Sequence, residues 1–261
     1  MAEVQSGYGT ITLEEDFNGA EWIIAETAAS GAIGSFRVIG DGLAETDSGV
    51  INLESDGLNG VARLTTTNED KHGVYMATPI MFDVALMGTI VLEARVRFPA
   101  LATREVFVGF ADVNSDALTL EVVGGGGLIH GATTTITLTA SDLVGFLLSA
   151  DLTDSADWHT VYNGGTVSGE TTSTNLDVDD AAVAGEWQIL RLEIFNNGTV
   201  RWHIDGEPVG GSTAVKQNGL ANAVSTTTDL ALVVGVEAKT TTSMTLDIDY
   251  ILVRANRDWT V

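Results

Sequence analysis

The chain has 261 residues, of which 36 are acidic and 12 basic, so its formal net charge at pH 7 is −24. Nucleic-acid binding depends on clustered Lys and Arg, so this charge argues strongly against that class of function. No cysteine is present, and stability must therefore come from packing or from assembly rather than from disulfides. No apolar run approaches the ~20 residues that a membrane-spanning helix needs, which argues against a membrane partner.

The opening sequence, Met-Ala-Glu-Val-Gln-Ser, lacks the basic and apolar regions of a secretory signal, which predicts synthesis in a cytoplasm. The chain has 29 glycines and 3 prolines, so its turns are built from Gly, Asn and Asp. Sandwiches of β-strands commonly reach ~200 to 250 residues as one domain. We therefore expect one all-β domain over residues 1–261, with an N-terminal arm at 1–9 and a C-terminal tail at 255–261.

The first half of the chain contains short alternating segments separated by Gly- and Asp-bearing turns, as expected of a sandwich. The candidate strands are Thr10–Asp16, Ser35–Ile39, Gly49–Glu54, Val61–Thr66 and Gly73–Met76. Thr89–Phe98 is a clear strand with apolar residues at every second position, and Glu105–Ala111 is expected to pair with it.

The alternating pattern weakens between residues 112 and 142, around the Gly-rich run at 124–127. We expect this segment to be an insertion whose flanks, Leu118–Val123 and Thr134–Thr139, form a small projecting hairpin. Strands resume at Val144–Ser149 and Trp158–Asn163.

The most informative segment is Glu186–Val209, which reads as a β-hairpin continued into a third strand. Leu190, Leu192 and Ile194 lie on one face, and the turn at Asn196-Asn197-Gly198 leads to a return strand with Val200, Trp202 and Ile204 on one face. Further on, Leu230–Glu237 is apolar almost throughout, as a strand buried on both faces should be. Met244–Val253 alternates, which places Met244, Leu246, Ile248, Tyr250 and Leu252 on one side.

The hairpin resembles a segment of the concanavalin A-like jelly roll, the sandwich of legume lectins, laminin G-like domains and family 16 glucanases. Trp187, the Leu190-Arg191-Leu192-Glu193 strand and the Trp202-x-Ile204-Asp205-Gly206 return carry the resemblance. It implies an all-β jelly-roll sandwich of two antiparallel sheets. Fold alone does not give function.

Catalysis of the glucanase type is not indicated by the sequence. A retaining glycosidase needs two carboxyl groups ~5 to 5.5 Å apart, and the glucanases of this fold supply them from a Glu-x-Asp-x-Glu strand. The nearest approximations are Glu45-Thr46-Asp47, which is followed by Gly49, and Asp247-Ile248-Asp249, which is followed by Ile251. We therefore expect the protein not to be an enzyme.

No cofactor site is indicated either. The four histidines lack metal-ligand spacing, and Asp112-Val113-Asn114-Ser115-Asp116 departs from a calcium loop because Val123 stands where the bidentate Glu would fall. Two acidic groups could still converge on calcium, and these are Asp151, Asp154 and Asp157, and Asp177, Asp179 and Asp180.

The predicted sandwich is large, acidic and rich in Thr and Gly, and it has no evident active site. In these features it is similar to structural proteins of tailed bacteriophages. The parallel segments are Val106–Asp112, Val144–Trp158, Trp187–Gly206 and Val234–Trp259. The resemblance implies a capsid decoration protein on the virion surface, made in the host cytoplasm. Its partners would be the major capsid protein and further copies of itself, as a dimer or trimer.

Arg254, Arg257 and Trp259 are the candidate capsid contacts, because they supply cations and an aromatic ring near the end of an otherwise acidic chain.

The alternative function is a carbohydrate-binding, lectin-like module, with an unusual glycoside hydrolase as a third interpretation. Aromatic side chains beside polar ones suit sugar contacts, and the candidates for that role are Trp158, His159, Tyr162 and Asn163.

Overall fold

The fold is seen in a computed structural model that describes residues 3–5, 9–19, 23–24, 31–43, 48–51, 60–121 and 127–257. Within these ranges the strands are β1 Glu3–Gln5, β2 Thr10–Glu15, β3 Ile23–Ile24, β4 Gly31–Ile33, β5 Phe36–Ile39, β6 Gly49–Ile51, β7 Ala62–Thr65, β8 Gly73–Ala77, β9 Phe82–Asp83, β10 Ile90–Arg97, β11 Arg104–Ala111, β12 Ile129–Ala132, β13 Thr135–Leu138, β14 Leu143–Ser149, β15 Asp157–Asn163, β16 Asp177–Ala181, β17 Trp187–Ile194, β18 Val200–Ile204, β19 Glu207–Val209, β20 Asp229–Ala238 and β21 Thr245–Asn256. The helices are α1 Val84–Met87, α2 Ser173–Leu176 and α3 Thr213–Asn218. In the described part of the chain, no helix is long and apolar enough to cross a membrane.

The strands form two large antiparallel sheets. The first sheet has the order β19-β18-β17-β10-β21-β7-β6-β3, and β2 pairs with both β21 and β1. The second sheet has the order β16-β15-β14-β11-β20-β8-β5-β4, with β9 paired to β20. The prediction of a concanavalin A-like jelly-roll sandwich of two antiparallel sheets is confirmed.

The main core lies between the two sheets. Alternate residues of β10 and β17 point inward from the first sheet, and alternate residues of β11 and β14 meet them from the second. Trp158 is fully buried in this core, where its indole Nε1 donates a hydrogen bond to Gln188 Oε1 at 2.9 Å. Trp202 is buried beside it and donates through Nε1 to the carbonyl of Gly145 at 3.0 Å.

A second hydrophobic cluster covers the outer face of the second sheet. Phe107, Leu147 and Val233 point outward from their strands, and apolar side chains of the 113–142 segment pack over them. We call residues 118–121 and 127–140 the cover. Its buried apolar members are Leu118, Leu120, Leu128, Ile129, Ile136 and Ala140.

The cover differs from the projecting hairpin expected of residues 112–142. A hairpin is present, but it is formed by β12 and β13 and lies against the second sheet. The physical reason is that β11, β14 and β20 are apolar on both faces, so their outer face must also be removed from water.

The expected pairing of Thr89–Phe98 with Glu105–Ala111 is wrong. Strand β10 lies between β17 and β21 in the first sheet, whereas β11 lies between β14 and β20 in the second. Each strand is hydrophobic enough to sit at the centre of a sheet, so the chain crosses between the sheets after Phe98 instead of turning back in a hairpin.

The predicted alternation of Met244–Val253 holds only as far as Ile248. The register with β10 shifts between Arg95 and Val96, and beyond this bulge the buried residues are Ile251 and Val253. Tyr250 is consequently half-buried on the outer face, where its hydroxyl donates to Glu93 Oε1 at 2.7 Å.

Candidate active site

Two buried carboxyl groups face each other beneath the cover. Glu105 on β11 is directly opposite Glu237 on β20 in the antiparallel register, and both side chains are fully buried. They lie on the outer face of the second sheet because they alternate in step with Phe107 and Val233. We call Glu105 and Glu237 the acid pair.

Glu237 is held by the neighbouring strand and by the cover. Tyr75 donates its hydroxyl proton to Glu237 Oε2 at 3.0 Å. The backbone N–H of Leu120 donates to the same oxygen at 2.5 Å, and that of Glu121 donates to Oε1 at 3.1 Å. The carboxyl group therefore fastens one end of the cover to the sheet.

Glu105 fastens the cover at a second point. Its Oε1 accepts the backbone N–H of Gly131 at 2.7 Å, and its Oε2 lies 3.3 Å from Lys239 Nζ. Lys239 has 2% of its side chain exposed and also pairs with Asp151 at 3.2 Å and with Glu121. A single ammonium group thus links the buried acid to carboxylates that reach the surface.

The pKa values of the acid pair are raised. Burial raises the pKa of Glu105 to about 7. Burial, followed by repulsion from Glu105, raises the pKa of Glu237 to about 8. A pair of carboxyl groups with pKa values near neutrality can both hold and release a proton at physiological pH.

Glu121 contrasts with the acid pair. Partial burial favours its neutral form, but hydrogen bonds from Lys239 and Lys71 outweigh this effect and lower its pKa to about 2. Its ion pair with Lys71 measures 2.7 Å. Glu121 is therefore an ionised anchor and not a proton donor.

Strand β14, which pairs with β11, presents no carboxyl group to the cover. On β14 the side facing the cover presents Leu143, Gly145, Leu147 and Ser149. The acid pair comes instead from two different strands, and sequence spacing could not reveal it.

The structure separates the four candidate glycan contacts. Trp158 is in the core and His159 is fully buried with both ring nitrogens unpaired, so neither can contact a glycan; this part of the prediction is wrong. Alternation along β15 places these neighbours on opposite faces of a sheet that is covered on both sides. Asn163 is half-buried and donates to the carbonyl of Ala140 at 3.0 Å.

Tyr162 lines an open cavity of about 170 Å³ at the sandwich edge. We call it the edge pocket; its lining residues include Thr160, Tyr162, Glu170, Asn175, Ser212 and Val215. Glu170 is oriented by Asn175 Nδ2 at 2.9 Å and by the backbone N–H of Thr172 at 2.8 Å. These hydrogen bonds to the ionised form lower the pKa of Glu170.

The candidate capsid contacts lie at the end of the first sheet. Arg254 is exposed on β21, and Arg257 is exposed just beyond it with its backbone N–H bonded to the carbonyl of Gly9 at 3.1 Å. Trp259 lies outside the described residues. Both arginines are therefore exposed, and their role as capsid contacts stays a prediction from the sequence.

Acidic residues from both predicted calcium groups converge. Asp154 and Asp157 of one group lie with Asp177 of the other, with carboxylate oxygens within 4.8 Å of one another. Burial and the nearby Asp177 raise the pKa of Asp157. Asp151 belongs instead to the surroundings of Lys239.

Comparisons with known proteins give fold relatives only. No family model and no curated protein matches the chain. A protein of unknown function from Shewanella oneidensis MR-1 is similar over 100% of this chain and 92% of its own, with 13% identity and a TM-score of 0.56.

Two further structures share the fold over most of both chains. LamA from Zobellia galactanivorans, solved in complex with laminaritriose and laminaritetraose, has 11% identity, coverage of 94% and 97%, and a TM-score of 0.54. A prokaryotic β-1,3-1,4-glucanase (lichenase) from a mouse hindgut metagenome has 12% identity, coverage of 95% and 99%, and a TM-score of 0.50.

These matches correct the functional prediction. The structures that share the whole architecture include a glucanase and a protein that binds glucan oligosaccharides, so the prediction of a non-enzymatic capsid decoration protein is wrong. The absence of one catalytic motif from a sequence does not exclude catalysis, because carboxyl groups can meet from separate strands. At 11 to 13% identity the likeness itself shows that the chain has the jelly-roll fold of these proteins.

Proposed function

We propose that this protein is a carbohydrate-active enzyme that hydrolyses a polysaccharide of the β-glucan class. The observation that supports the proposal is the acid pair, in which Glu105 and Glu237 oppose each other on adjacent central strands with raised pKa values. The substrate class follows from the lichenase among its fold relatives.

The position of the acid pair suits a retaining mechanism. Directly opposed residues of antiparallel strands have Cβ atoms ~4.5 to 5.5 Å apart. Retaining glycosidases hold their two carboxyl groups ~5 to 5.5 Å apart, whereas inverting enzymes need a wider gap for a water molecule. The strand register therefore allows the short carboxyl separation of a retaining enzyme.

The position of Lys239 supports different roles for the two acids, because its ammonium group lies beside Glu105 Oε2 and favours the ionised form of that residue. Glu237, whose pKa is raised by burial and by repulsion from Glu105, would donate a proton to the glycosidic oxygen as the bond from that oxygen to the anomeric carbon breaks. Glu105 would attack the anomeric carbon as a carboxylate, with Lys239 favouring its charged form. Water then adds to the anomeric carbon, gives one proton to Glu237 and releases Glu105.

Access to the acid pair requires movement of the cover. Both carboxyl groups are fully buried, and the backbone N–H groups of Leu120 and Gly131 occupy their oxygens. Once the cover has moved away from the sheet, hydroxyl groups of a polysaccharide could replace these N–H donors. Each carboxyl oxygen would then keep a hydrogen bond.

The test measures release of reducing ends from laminarin and from mixed-linkage β-glucan. We expect turnover by the parent protein and a loss of at least ~100-fold in Glu105→Gln and Glu237→Gln, as for removal of a general acid or base. Glu93→Gln is the matched control, because Glu93 also accepts a tyrosine hydroxyl but lies on the first sheet. Equal activity in all four proteins would exclude the acid pair as the catalytic groups.

Saccharide binding at the edge pocket is a second candidate function. The pocket is open and combines the ring of Tyr162 with oriented polar groups on Glu170 and Asn175, a combination that suits sugar contacts. Binding of oligosaccharide without turnover, lost in Tyr162→Ala and kept in Glu237→Gln, would favour this function over hydrolysis.

A further inference from the structure

A second cavity, which shares Trp202 and Val215 with the edge pocket, has an unusual charge. This cavity of about 430 Å³ is lined by Arg201, Trp202, His203, Pro208, Thr213, Val215, Lys216 and Gln217, and we call it the α3 pocket. Two of the eight lining residues, Arg201 and Lys216, are cationic and none is acidic, although the chain as a whole carries three acidic residues for each Lys or Arg. His203 adds a neutral imidazole, because burial lowers its pKa.

The local sequence explains how Arg201, His203 and Lys216 converge. Arg201 and His203 alternate on the outer face of β18, and Pro208 on β19 is opposite His203. Ser212 caps α3 by accepting the N–H of Val215 at 3.3 Å, and Gly219, at φ 77°, ends the helix. The short helix therefore brings Thr213 and Lys216 to the edge of the two strands.

Within the described residues, neither Arg201 nor Lys216 has a carboxylate oxygen within 4.0 Å, although the charge of Lys216 acts on the carboxyl group of Asp180. Glu193, opposite Arg201 on β17, bonds instead to Arg191 at 3.1 Å through Nε. Arg201 packs over the ring of Phe195 with its guanidinium carbon 5.3 Å from the centroid, which leaves its N–H groups available. His203 Nδ1 is buried without a hydrogen-bond partner.

We propose that the α3 pocket binds the anionic group of an acidic saccharide, either a carboxylate or a sulfate ester. Arg201 and Lys216 supply the charge-assisted hydrogen bonds, Thr213 and Gln217 supply neutral polar partners for ring hydroxyls, and the apolar surfaces of Pro208 and Val215 contact the sugar ring. The pocket lies on the first sheet, away from the acid pair, so this binding does not depend on hydrolysis.

Three probes test the proposal: D-glucuronate, D-glucose and inorganic sulfate, each titrated while backbone amide NMR signals are recorded. We expect glucuronate to shift the signals of His203 and Lys216 saturably, sulfate to bind more weakly because it lacks the ring, and glucose to cause no shift. Sulfate binding as tight as glucuronate would contradict the saccharide part of the proposal.

Substitutions of the two cationic lining residues test whether their charges bind the ligand. Arg201→Gln and Lys216→Gln should each weaken glucuronate binding by about threefold to tenfold, the effect of removing one partly exposed charge contact. Arg254→Gln is the matched control, because Arg254 is an exposed arginine of the same sheet outside the pocket. An unsaturable response to glucuronate, or equal losses in all three variants, would overturn the assignment.

Discussion

At the scale of single residues, Lys239 is the charge on which the buried site depends. It follows the last residue of β20, its side chain is 2% exposed, and it approaches Glu105, Glu121 and Asp151. Burial alone would favour a neutral amine, but the carboxylates around it raise the pKa of Lys239. The ammonium group therefore stays charged while enclosed.

Replacing this residue tests that role. Lys239→Met keeps the apolar stem and removes the charge, leaving buried carboxyl groups without a counter-ion. We expect the free energy of unfolding to fall by about 3 to 5 kcal/mol, as for a broken buried ion pair. Urea denaturation of the variant and of the exposed control Lys216→Met measures the difference; a loss below ~1 kcal/mol would show that the acids simply take up protons instead.

At the scale of elements, the cover is a segment whose attachment should depend on pH. The acid pair has pKa values of about 7 and about 8 in the folded protein, above the 4.5 of an ordinary glutamate. Between about pH 4.5 and about pH 8 the folded state therefore binds more protons than the unfolded state. By linkage, the contribution of the acid pair is fully present below pH 4.5 and is lost as the pH rises through about 8.

Glu237→Gln should remove part of this dependence, because an amide does not titrate. Between pH 5 and pH 8.5 we expect the melting temperature of the parent to fall, relative to the variant, by several degrees. Burial lowers the pKa values of His130, His159 and His203, so these histidines make the folded state more stable as the pH rises. Both proteins contain them, and the difference in melting temperature between parent and variant therefore reports on Glu237. Glu93→Gln should keep the parent's slope.

Amide hydrogen exchange can show whether the pH dependence arises in the cover. The amides of Leu120, Glu121 and Gly131 donate to the acid pair and should exchange faster, beyond the intrinsic increase with pH, once both carboxyl groups are ionised. Amides of β10 in the first sheet serve as the reference. Uniform behaviour of both sets would mean that the cover does not move separately from the sandwich.

At the scale of the whole molecule, net charge works against the compact state. A charge of −24 on one chain produces self-repulsion that salt screens within a Debye length of ~10 Å at 0.1 M. Salt also weakens exposed ion pairs such as Arg37–Asp116, but the threefold excess of acids makes repulsion the larger effect.

We therefore expect the melting temperature to rise by several degrees between about 0.02 M and about 0.5 M salt. Sodium and potassium chloride should act equally if screening is the cause. A rise seen with calcium chloride alone, at matched ionic strength, would instead indicate binding at Asp154, Asp157 and Asp177. Assembly into a dimer or trimer stays a prediction that sedimentation at both salt concentrations can check.

Features that depend on local chemistry could be predicted from the amino-acid sequence. The hairpin of β17 and β18 was predictable because side-chain alternation and the Asn197-Gly198 turn act over neighbouring residues, and Gly198 indeed has a φ of 74°. The apolar run of Leu230–Glu237 correctly predicted a strand buried on both faces.

Tertiary structure alone decided what those strands meet. Each central strand is apolar enough for either sheet, so only packing placed β10 and β11 in different sheets. The cover could not be predicted because its residues lack a regular period, and their burial comes from the sheet beneath. Glu105 and Glu237 are far apart in the chain, and the register of β11 with β20 brings them together. A carboxyl group inside an otherwise apolar strand was the available signal, since burying it requires partners that only the fold supplies.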